Sequence, residues 1–578
     1  MNYSSPALSL ALSLTVCTGA ACLVMPQATD TAGAPGAQGT ILQSITAGTI
    51  AGKHLVGYQG WFSCPDDGAQ LDTWVHWSPG VNPSPGNVDF EAWPEVNDLP
   101  QDALCETDFV FPDGQPAQLF SSNRYATVDR HFEWMAEHGI HGALLQRFTN
   151  ALHIPQHRST RDLVATHTKG AAEQHGRIFA VVYDITGTEQ SGWTDLVKDD
   201  WKHLVDDLQL TSSPRYLHQG GAPLVGIWGL GFTDRPGTAA EAHELLDFFQ
   251  NNPDPNYRAQ VMGGVPTHWR SLNQDAKPDP AWTDVYSRLD VLSPWTVGRY
   301  RTTQQADQHL SSVQIPDMNW TAARGIQYLP VIFPGFSWAN LTGDEATFNL
   351  IPRQGGRFYW HQFHNAVSMG ATSVMTAMFD EVDEGTAIFP VANGPTRVPD
   401  SGRFLHLAQD GEQLPADWYL RLAGAASEVL EGSRQLTPYI PIAVPTPEAP
   451  TAPTEPTPPT PSEDLSDADW ASYHVRLAYR GILGRDADSG GLTHYSGELL
   501  AGQTVLWLCT ILSESGEFAS SRAQLSREEL ASELYLGILE REPDPAGLVA
   551  TIDAIDDGLL AVRAAAMVLS DEAAENSN

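Results

Sequence analysis

The chain has few basic residues. It contains 32 Lys and Arg against 70 Asp and Glu, only five of the basic residues are lysines, and the formal net charge is -38. Binding to a nucleic-acid backbone or to an anionic membrane surface needs clustered positive charge. This composition argues against both kinds of partner, and we expect no nucleic-acid partner. The acidic excess bears on solubility and says nothing about the fold.

Several signatures of common enzyme classes are also missing. No Gly-x-Ser-x-Gly elbow and no P-loop occurs, so serine hydrolysis and phosphoryl transfer lack their motifs. No glycine-rich phosphate fingerprint follows the first predicted strand, as a dinucleotide-binding sheet would require. Histidine pairs at zinc-like spacing, such as His361 with His364, join no third ligand. We therefore expect neither a metal nor a cofactor.

Long apolar runs are confined to the N-terminus. Ala7 to Val24 is apolar, and Ala32-Gly33-Ala34 offers a cleavage site, although the residues before the run contain no Lys or Arg. Together they predict a signal peptide over residues 1–34 and a secreted or extracellular protein. The alternatives are a retained membrane anchor and a lipoprotein modified at Cys17 or Cys22.

The chain has only five cysteines, and removal of the signal peptide would leave three. Cys64 and Cys105 both lie in one long irregular segment. They are candidates for a disulfide in an oxidising compartment. Cys509 lies in a strongly apolar run and is predicted to be a buried small residue.

Short apolar runs alternate with amphipathic segments over residues 54–432, which is typical of repeated βα units. We predict eight strands: His54 to Phe62, Gly142 to Phe148, Arg177 to Thr186, Pro223 to Phe232, Gln260 to His268, Asp290 to Val297, Gln327 to Phe336 and Thr372 to Phe379. Eight repeats predict a (β/α)8 TIM barrel within a catalytic domain spanning residues 40–438. An open, doubly wound sheet is the alternative.

Helix signals between the strands support this count. Thr238-Ala239-Ala240-Glu241 has the spacing of a capping box. Thr160 is predicted to be the N-cap of an earlier helix that ends near Gly176.

The C-terminal quarter has a different organisation. Residues 439–464 are rich in Pro and Thr and predict an extended linker. Beyond it, Gly481-Ile482-Leu483 recurs 56 residues later as Gly537-Ile538-Leu539. Such self-similarity predicts a small all-α domain, residues 465–578, built from duplicated helical units that pack on each other. The segment resembles the bacterial domain of unknown function 4214, which implies attachment or assembly.

A cluster of carboxylates follows the last predicted strand. The apolar run 372–379 leads directly into Asp380-Glu381-Val382-Asp383-Glu384-Gly385, which has four carboxylates in five positions. Like-charge crowding raises carboxyl pKa values and can keep one acid protonated beside an ionised neighbour. A glycosidase needs such a pair, so Glu381 and Glu384 are the catalytic candidates.

This assignment makes a geometric demand. Glu381 and Glu384 are three residues apart, so in a straight strand they would face opposite sides. Both reach one pocket only if the strand stops and the chain turns at about Val382 to Asp383, with Gly385 easing the turn. An acidic solvated loop or a calcium site is the alternative.

The ends of the other predicted strands are polar and aromatic. Aromatic rings can cover the apolar faces of sugar rings, while amides, guanidinium groups and carboxylates hydrogen-bond the hydroxyls. For any single tryptophan, core packing is the alternative. The predicted substrate-binding residues are Tyr58, Gln59, Trp61, Gln146, Arg147, Tyr183, Asp184, Trp228, His268, Trp269, Trp295, Trp338, Asp380 and Asp383.

Several motifs carry a family resemblance. They are Val56 to Phe62, Trp74 to Trp77, Phe120 to Ser122, Thr127 to Phe132, Leu145 to Phe148 and the acidic segment. Over residues 52–435 the chain resembles bacterial proteins grouped as glycoside hydrolase family 71/99-like.

The resemblance implies roles for the two glutamates. In family 99 endo-α-mannosidases and mannanases, the last strand commonly ends Asn-Glu-Trp-His-Glu-Gly. The first Glu assists the substrate 2-hydroxyl and the second is the acid/base of a retaining mechanism through an anhydrosugar. Glu381 and Glu384 match these positions, but Asp380, Val382 and Asp383 replace Asn, Trp and His. Family 71, whose members are inverting α-1,3-glucanases, is the other guide to substrate.

The sequence therefore predicts a secreted glycoside hydrolase, endo-acting on α-linked mannan or glucan. Its expected partners are a polysaccharide or glycan substrate and, through the C-terminal domain, a cell-surface or matrix component. The alternative is a non-catalytic carbohydrate-binding or matrix-attached adhesive protein.

Overall fold

The structure is a computed structural model. It describes residues 45–445 and 467–568, apart from 501–502, 504, 514, 523, 544 and 557–559. The predicted signal peptide, with Cys17 and Cys22, and most of the predicted linker lie outside the described residues. The chain divides into two compact units between Glu448 and Ala449. In the described part of the chain, no helix has the length and apolar character needed to cross a bilayer.

The first unit is built on one large parallel sheet. Its strands, with one small hairpin, are β1 (His54–Tyr58), β2 (Leu104–Val110), β3 (Pro116–Phe120), β4 (Gly142–Phe148), β5 (Ile178–Asp184), β6 (His218–Gln219), β7 (Ala222–Trp228), β8 (Gln260–Val265), β9 (Val291–Pro294), β10 (Gln327–Tyr328), β11 (Val331–Ile332) and β12 (Val374–Thr376). The sheet order is β10-β9-β8-β7-β5-β4-β1-β12-β11, and only the short β6 pairs antiparallel to it. β2 and β3 form the separate antiparallel hairpin.

The two ends of this sheet are β10 and β11, which both belong to the seventh predicted strand, Gln327 to Phe336. The sheet is therefore a closed barrel. β10 pairs with β9 and β11 pairs with β12, and only Leu329 and Pro330 separate β10 from β11. Leu329 N donates to Leu292 O at 2.9 Å, and Met375 N donates to Pro330 O at 3.0 Å. Proline has no N–H, which is consistent with the break at Pro330. The predicted (β/α)8 barrel is confirmed, and the open sheet is excluded.

The helices of the first unit cover the outside of the barrel, except α8 (Ala339–Thr342), which lies at the mouth of a cavity at the carboxyl ends of the strands. They are α1 (Tyr125–Glu137), α2 (Pro155–His175), α3 (Trp193–Asp206), α4 (Ala239–Asn251), α5 (Ala281–Ser287), α6 (Thr303–His309), α7 (Ile315–Ala322), α8 (Ala339–Thr342), α9 (Arg357–Ser368) and α10 (Trp418–Glu431). The capping box of Thr238 and Glu241 is confirmed at the start of α4. The N-cap predicted at Thr160 is wrong, because α2 begins at Pro155 and the Thr160 hydroxyl donates to Gln156 O inside the helix.

Most of the predicted strands run past the observed C-terminal ends. The first ends at Tyr58 instead of Phe62, and the eighth ends at Thr376 instead of Phe379. Beyond Tyr58 the backbone leaves the ladder because Gln59 N and Gly60 N donate to the Asp380 side chain. The residues that follow the hydrogen-bonded strands are apolar or aromatic, so they extend the strand pattern of the sequence. In the structure they form the loops at the carboxyl end of the barrel.

The connection between β1 and α1 is the long irregular segment that contains the paired cysteines. We call residues 59–124 the excursion. Cys64 and Cys105 form a disulfide within it. Its backbone contacts the acidic segment directly, since Glu91 N and Ala92 N both donate to Val382 O, at 2.9 and 3.1 Å. The excursion is thereby fixed against the loop that follows β12.

The second unit is helical and has its own apolar core. Its helices are α11 (Asp467–Ala478), α12 (Ser489–Leu500), α13 (Val505–Ser513), α14 (Gly516–Ser521), α15 (Arg527–Leu539), α16 (Pro545–Asp556) and α17 (Leu560–Val568). A Cβ at Gly481 would lie 2.5 Å from Ile538, and one at Gly537 would lie 2.5 Å from Arg480 O. The two copies of the repeated motif therefore pack on each other at their glycines, as the repeat predicts. Cys509 is buried and free.

Candidate active site

A cavity of about 410 Å³ opens at the carboxyl ends of the barrel strands. Its floor and wall come from nearly every strand or the residues just after it. The lining residues are Gln59, Trp61, His76, Gln146, Phe148, Val182, Asp184, Thr186, Trp228, Arg235, Met262, Gly264, Ser293, Trp295, Val331, Leu341, Met375, Met378, Glu381, Asp383 and Glu384. Active sites of TIM barrels lie at this end of the barrel, so the cavity is the candidate active site.

The acidic segment makes the turn that the sequence demands. Residues 382–385 form a turn, and Gly385 has φ +63°, in the left-handed region that favours glycine. A Cβ there would also lie 3.2 Å from Ser337 N. Because the chain reverses at this point, Glu381 and Glu384 both line the same cavity.

Glu381 is buried and held from both sides. The Gln59 side-chain amide donates to its Oε1 at 2.6 Å, and the Thr386 hydroxyl donates to its Oε2 at 2.8 Å. Burial, reinforced by the charges of Glu384 and Asp383, raises the pKa of Glu381 well above its ordinary value, while the two donors oppose that shift. The carboxyl group therefore has a fixed orientation in the cavity wall.

Glu384 is the less constrained of the two acids. Among the described residues, no hydrogen-bond donor contacts its carboxyl group; only its backbone oxygen is used, by Ser337 N at 3.0 Å. Burial, with the charge of Asp383, raises the pKa of Glu384 to about 7. A carboxyl group that is protonated near neutral pH and free to approach a ligand suits a proton donor.

Asp380 has a supporting position and does not line the cavity. Its two oxygens accept Gln59 N at 2.7 Å and Gly60 N at 2.8 Å, and its side chain is fully buried. Burial raises the pKa of Asp380 to about 7, against the effect of these two donors. The predicted substrate contact by Asp380 is therefore corrected: this residue positions the loop that carries Gln59.

Asp383 contacts the excursion. The Nδ1 atom of His76 lies 2.9 Å from Asp383 Oδ2, and the His76 ring stacks on Trp61 with 3.7 Å between ring centroids and 6° between planes. Trp61 also packs against Phe148, with 5.2 Å between ring centroids. Trp61 thus lines the cavity as predicted, but His76 covers one of its faces.

The opposite part of the wall is aromatic. Trp228 and Trp295 meet edge to face at 5.3 Å, and the Arg235 guanidinium lies 5.3 Å from the Trp228 ring centroid. Asp184, at the end of β5, also lines the cavity, and burial raises its pKa to about 6. Within the described part of the chain, the buried atoms Gln59 Oε1, Trp61 Nε1 and Trp228 Nε1 have no hydrogen-bond partner. Such atoms can bind a polar ligand or ordered water.

Three predicted substrate contacts lie outside the cavity because neighbouring residues of a strand face opposite sides. Tyr58 is buried, and its hydroxyl is hydrogen-bonded to His131 Nδ1 at 3.0 Å. Arg147 and Tyr183 both point away from the barrel axis, and both donate to Asp200 on α3, at 2.6 and 2.8 Å. Their neighbours Gln59, Gln146 and Asp184 line the cavity instead.

Three further predicted contacts follow strand ends but also lie outside the lining. His268 pairs with Asp275 at 3.0 Å, because the loop after β8 folds back on itself. Trp269 is buried against α7, where its Nε1 donates to Asp317. Trp338 is 36% exposed at the start of α8, and it is Leu341, one helical turn later, that reaches the cavity.

Sequence reasoning missed several lining residues. His76 and Arg235 lie in irregular loops and Leu341 lies in the four-residue helix α8, where no periodicity of the sequence assigns a direction to a side chain. Phe148, Val182, Met262, Ser293, Val331 and Met375 lie on the predicted strands, and the period of two could have placed some of them inside. Among the described residues, no group of three or more His, Cys, Asp or Glu side chains could hold a metal ion.

Comparisons with known proteins find structural likeness alone. No protein-family model matches the chain, and no curated protein matches its sequence. A GH99 endo-alpha-mannosidase from Bacteroides thetaiotaomicron is 16% identical, with a TM-score of 0.45, and the match covers 67% of this chain and 100% of that one. A second structure of that enzyme, in complex with BIS-TRIS-propane, is 15% identical with a TM-score of 0.47, and the match covers 67% of this chain and 99% of that one. A glycoside hydrolase-like protein is 15% identical with a TM-score of 0.39, and the match covers 61% of this chain and 98% of that one. Likeness at this level does not by itself assign a reaction to the chain.

Proposed function

We propose that this protein is a glycoside hydrolase, endo-acting on an α-linked mannan or glucan, with Glu384 and Glu381 as its catalytic pair. One observation carries the proposal: two glutamates with raised pKa values line one cavity at the carboxyl end of a closed barrel. The cavity also holds amide and aromatic groups suited to an uncharged, hydroxyl-rich ligand. The choice of α-linked mannan or glucan rests on the resemblance of the acidic segment to the last-strand motif of family 99, with family 71 as the other guide to substrate.

The surroundings of the two acids assign their roles. Glu381 is held from both sides by Gln59 and Thr386, whereas no described donor contacts the Glu384 carboxyl group, which can approach the ligand. We therefore assign the transferred proton to the Glu384 carboxyl group. It passes to the glycosidic oxygen as the bond from that oxygen to the anomeric carbon breaks, and a water molecule supplies the hydroxyl that the anomeric carbon gains. In one route Glu381 takes the proton that this water loses. In the other, a neighbouring substrate hydroxyl gives its proton to Glu381 and attacks the anomeric carbon; water then opens the ring so formed, its proton passes to Glu384, and Glu381 returns its proton to the hydroxyl oxygen.

We also propose export to an oxidising compartment. The apolar segment Ala7 to Val24 and the Cys64–Cys105 disulfide support it, since disulfides persist outside the reducing cytosol. The helical second unit is the part of the chain that we propose to bind a cell-surface or matrix component, on the basis of its resemblance to domain of unknown function 4214.

Release of reducing ends from a panel of α-mannans and α-glucans tests the proposed reaction. We expect wild-type protein to cut at least one of them, and E384Q to be slower by about 10²- to 10⁴-fold, the usual contribution of a general acid. The exposed Glu189 provides the control, because E189Q should cut like wild type. Equal cutting by E384Q would overturn the assignment. Saturable glycan binding without cleavage would support a binding protein instead.

A further inference from the structure

His76 belongs to no strand or helix of the barrel, yet it lies in the wall of the cavity. It reaches the wall from the excursion, which folds over the end of the barrel. Its neighbour Trp77 is fully buried and donates from Nε1 to Phe120 O at 2.9 Å. Val75 and Ser63 exchange backbone hydrogen bonds at 3.2 and 3.3 Å. The backbone on both sides of His76 is therefore fixed.

The backbone of His76 is also unusual, because its φ is +63°. A side chain in this left-handed region costs of order 1 kcal/mol or more and persists where surrounding contacts impose it. Such residues concentrate at functional sites. The fixed neighbours of His76 supply the constraint, and the consequence is an imidazole directed at the acidic segment.

The two nitrogens of His76 have different surroundings. Nδ1 lies 2.9 Å from Asp383 Oδ2, a carboxyl oxygen that accepts hydrogen bonds, so we assign the ring hydrogen to Nδ1. Nε2 has no hydrogen-bond partner among the described residues. Trp61 covers one face of the ring and prevents it from turning. Asp383 and Trp61 therefore hold the imidazole while Nε2 stays available to a ligand in the cavity.

We propose that His76 is a specificity-determining residue whose Nε2 hydrogen-bonds a sugar hydroxyl next to the scissile bond. The inference rests on the proposed glycosidase function and adds a substrate contact that the barrel itself does not supply. Asp383 acts on the substrate through His76, which explains why an aspartate in the acidic segment faces the excursion. Asp383 also lines the cavity, so its predicted direct contact with substrate stays a prediction beside this role.

Two amide substitutions separate the two nitrogens of the ring. In H76N the asparagine amide can take the place of Nδ1 beside Asp383, and asparagine tolerates positive φ, but nothing reaches the place of Nε2. In H76Q the longer amide reaches the place of Nε2 and loses the contact with Asp383. His175 is the last residue of the outer helix α2 and pairs with Asp129 of α1, so H175N provides the control.

The glycan that wild type cuts fastest in the panel is the probe, with KM and kcat measured for each variant. We expect H76N to raise KM roughly tenfold or more, the scale of one lost hydrogen bond, with kcat within about threefold. H76Q should keep KM near the wild-type value, and H175N should match wild type in both constants.

Other outcomes overturn the proposal in distinguishable ways. If H76N matches wild type while H76Q loses activity, His76 acts only by positioning Asp383 and makes no substrate contact. If both variants lose kcat with KM unchanged, the role of His76 lies in the chemical step instead. Wild-type protein that neither cuts nor binds any glycan of the panel would overturn the proposed function together with this inference.

Discussion

The Glu384 carboxyl group is placed for reaction at the expense of stability. It is desolvated and lies beside Asp383, yet no described donor stabilises its charge. Its pKa is raised to about 7 in the folded protein, against an ordinary value of 4.5. Between these two values the folded state holds a proton that the unfolded state has lost. Stability therefore falls as pH rises from 4.5 to 7, and the full cost persists above 7.

This linkage predicts a more stable E384Q variant. A glutamine of the same shape removes the charge and breaks no side-chain hydrogen bond. We expect E384Q to exceed wild type by about 3 kcal/mol in unfolding free energy at pH 8, since one pKa unit corresponds to about 1.4 kcal/mol. The gain should fall towards zero at pH 4, where Glu384 is protonated in both states.

Denaturant unfolding of the barrel unit at pH 4, 6 and 8 measures this difference. E189Q, at an exposed position, should show no such trend with pH. An E384Q variant less stable than wild type at pH 8 would mean that Glu384 is not the desolvated acid described above.

For single residues, the sequence could predict which residue types form the site better than it could predict which side chains face the cavity. The two glutamates are recognisable from four carboxylates after an apolar run. The candidates Arg147 and Tyr183 were wrong because each lies beside a residue that faces the cavity, and a strand sends neighbours to opposite sides. Applying that period would have kept Gln146 and Asp184 and rejected the other two.

The excursion is the element that completes the site. It supplies Trp61 and His76 to the cavity wall, and its Glu91 and Ala92 amides hold the turn of the acidic segment. His76 is carried by the backbone of the excursion, and its ring is held by Trp61 and by Asp383. The position of the imidazole therefore depends on the fold of this segment. The Cys64–Cys105 disulfide closes 41 residues of it.

Removal of the disulfide should therefore weaken both stability and activity. For the C64A/C105A variant we expect a loss of about 2 to 4 kcal/mol in the unfolding free energy of the barrel unit, because the unfolded chain gains freedom. KM for the cleaved glycan should rise as His76 loses its fixed position. Denaturant unfolding and steady-state kinetics measure the two effects.

Cys509 provides the matched control, since it is free, buried and in the other unit. C509A should leave the transition of the barrel unit and the KM unchanged. A C64A/C105A variant with wild-type stability and KM would show that the excursion keeps its fold without the disulfide.

Element boundaries show why sequence reasoning stops short of the loops. The start of the first strand was correct at His54, but its end was placed at Phe62 because Trp61 and Phe62 continue the apolar pattern. Those residues form the cavity wall and its packing. His76 lies 14 residues after Phe62 in a segment with no periodicity, and its place depends on the fold of the excursion and on its contact with the distant Asp383.

The closed barrel brings together groups that are far apart in sequence. Gln59 follows the first strand, Glu381 follows the last, and the parallel pairing of β1 with β12 in the closed barrel makes the two neighbours, 2.6 Å apart at their hydrogen-bonded atoms. The alternation of eight apolar runs with helical segments was sufficient to predict this closure. The division into a barrel unit and a helical unit also follows the change in composition near residue 440.

Dependence of the rate on the leaving group tests the central claim most directly, because a general acid matters only when the departing oxygen needs a proton. The comparison uses the glycan that wild type cuts and the α-glycosyl fluoride of the same sugar, whose fluoride leaves without protonation. We predict that E384Q is slower than wild type by at least about 100-fold on the glycan and by less than about tenfold on the fluoride. Equal slowing on both substrates would contradict the assignment of Glu384 as the acid.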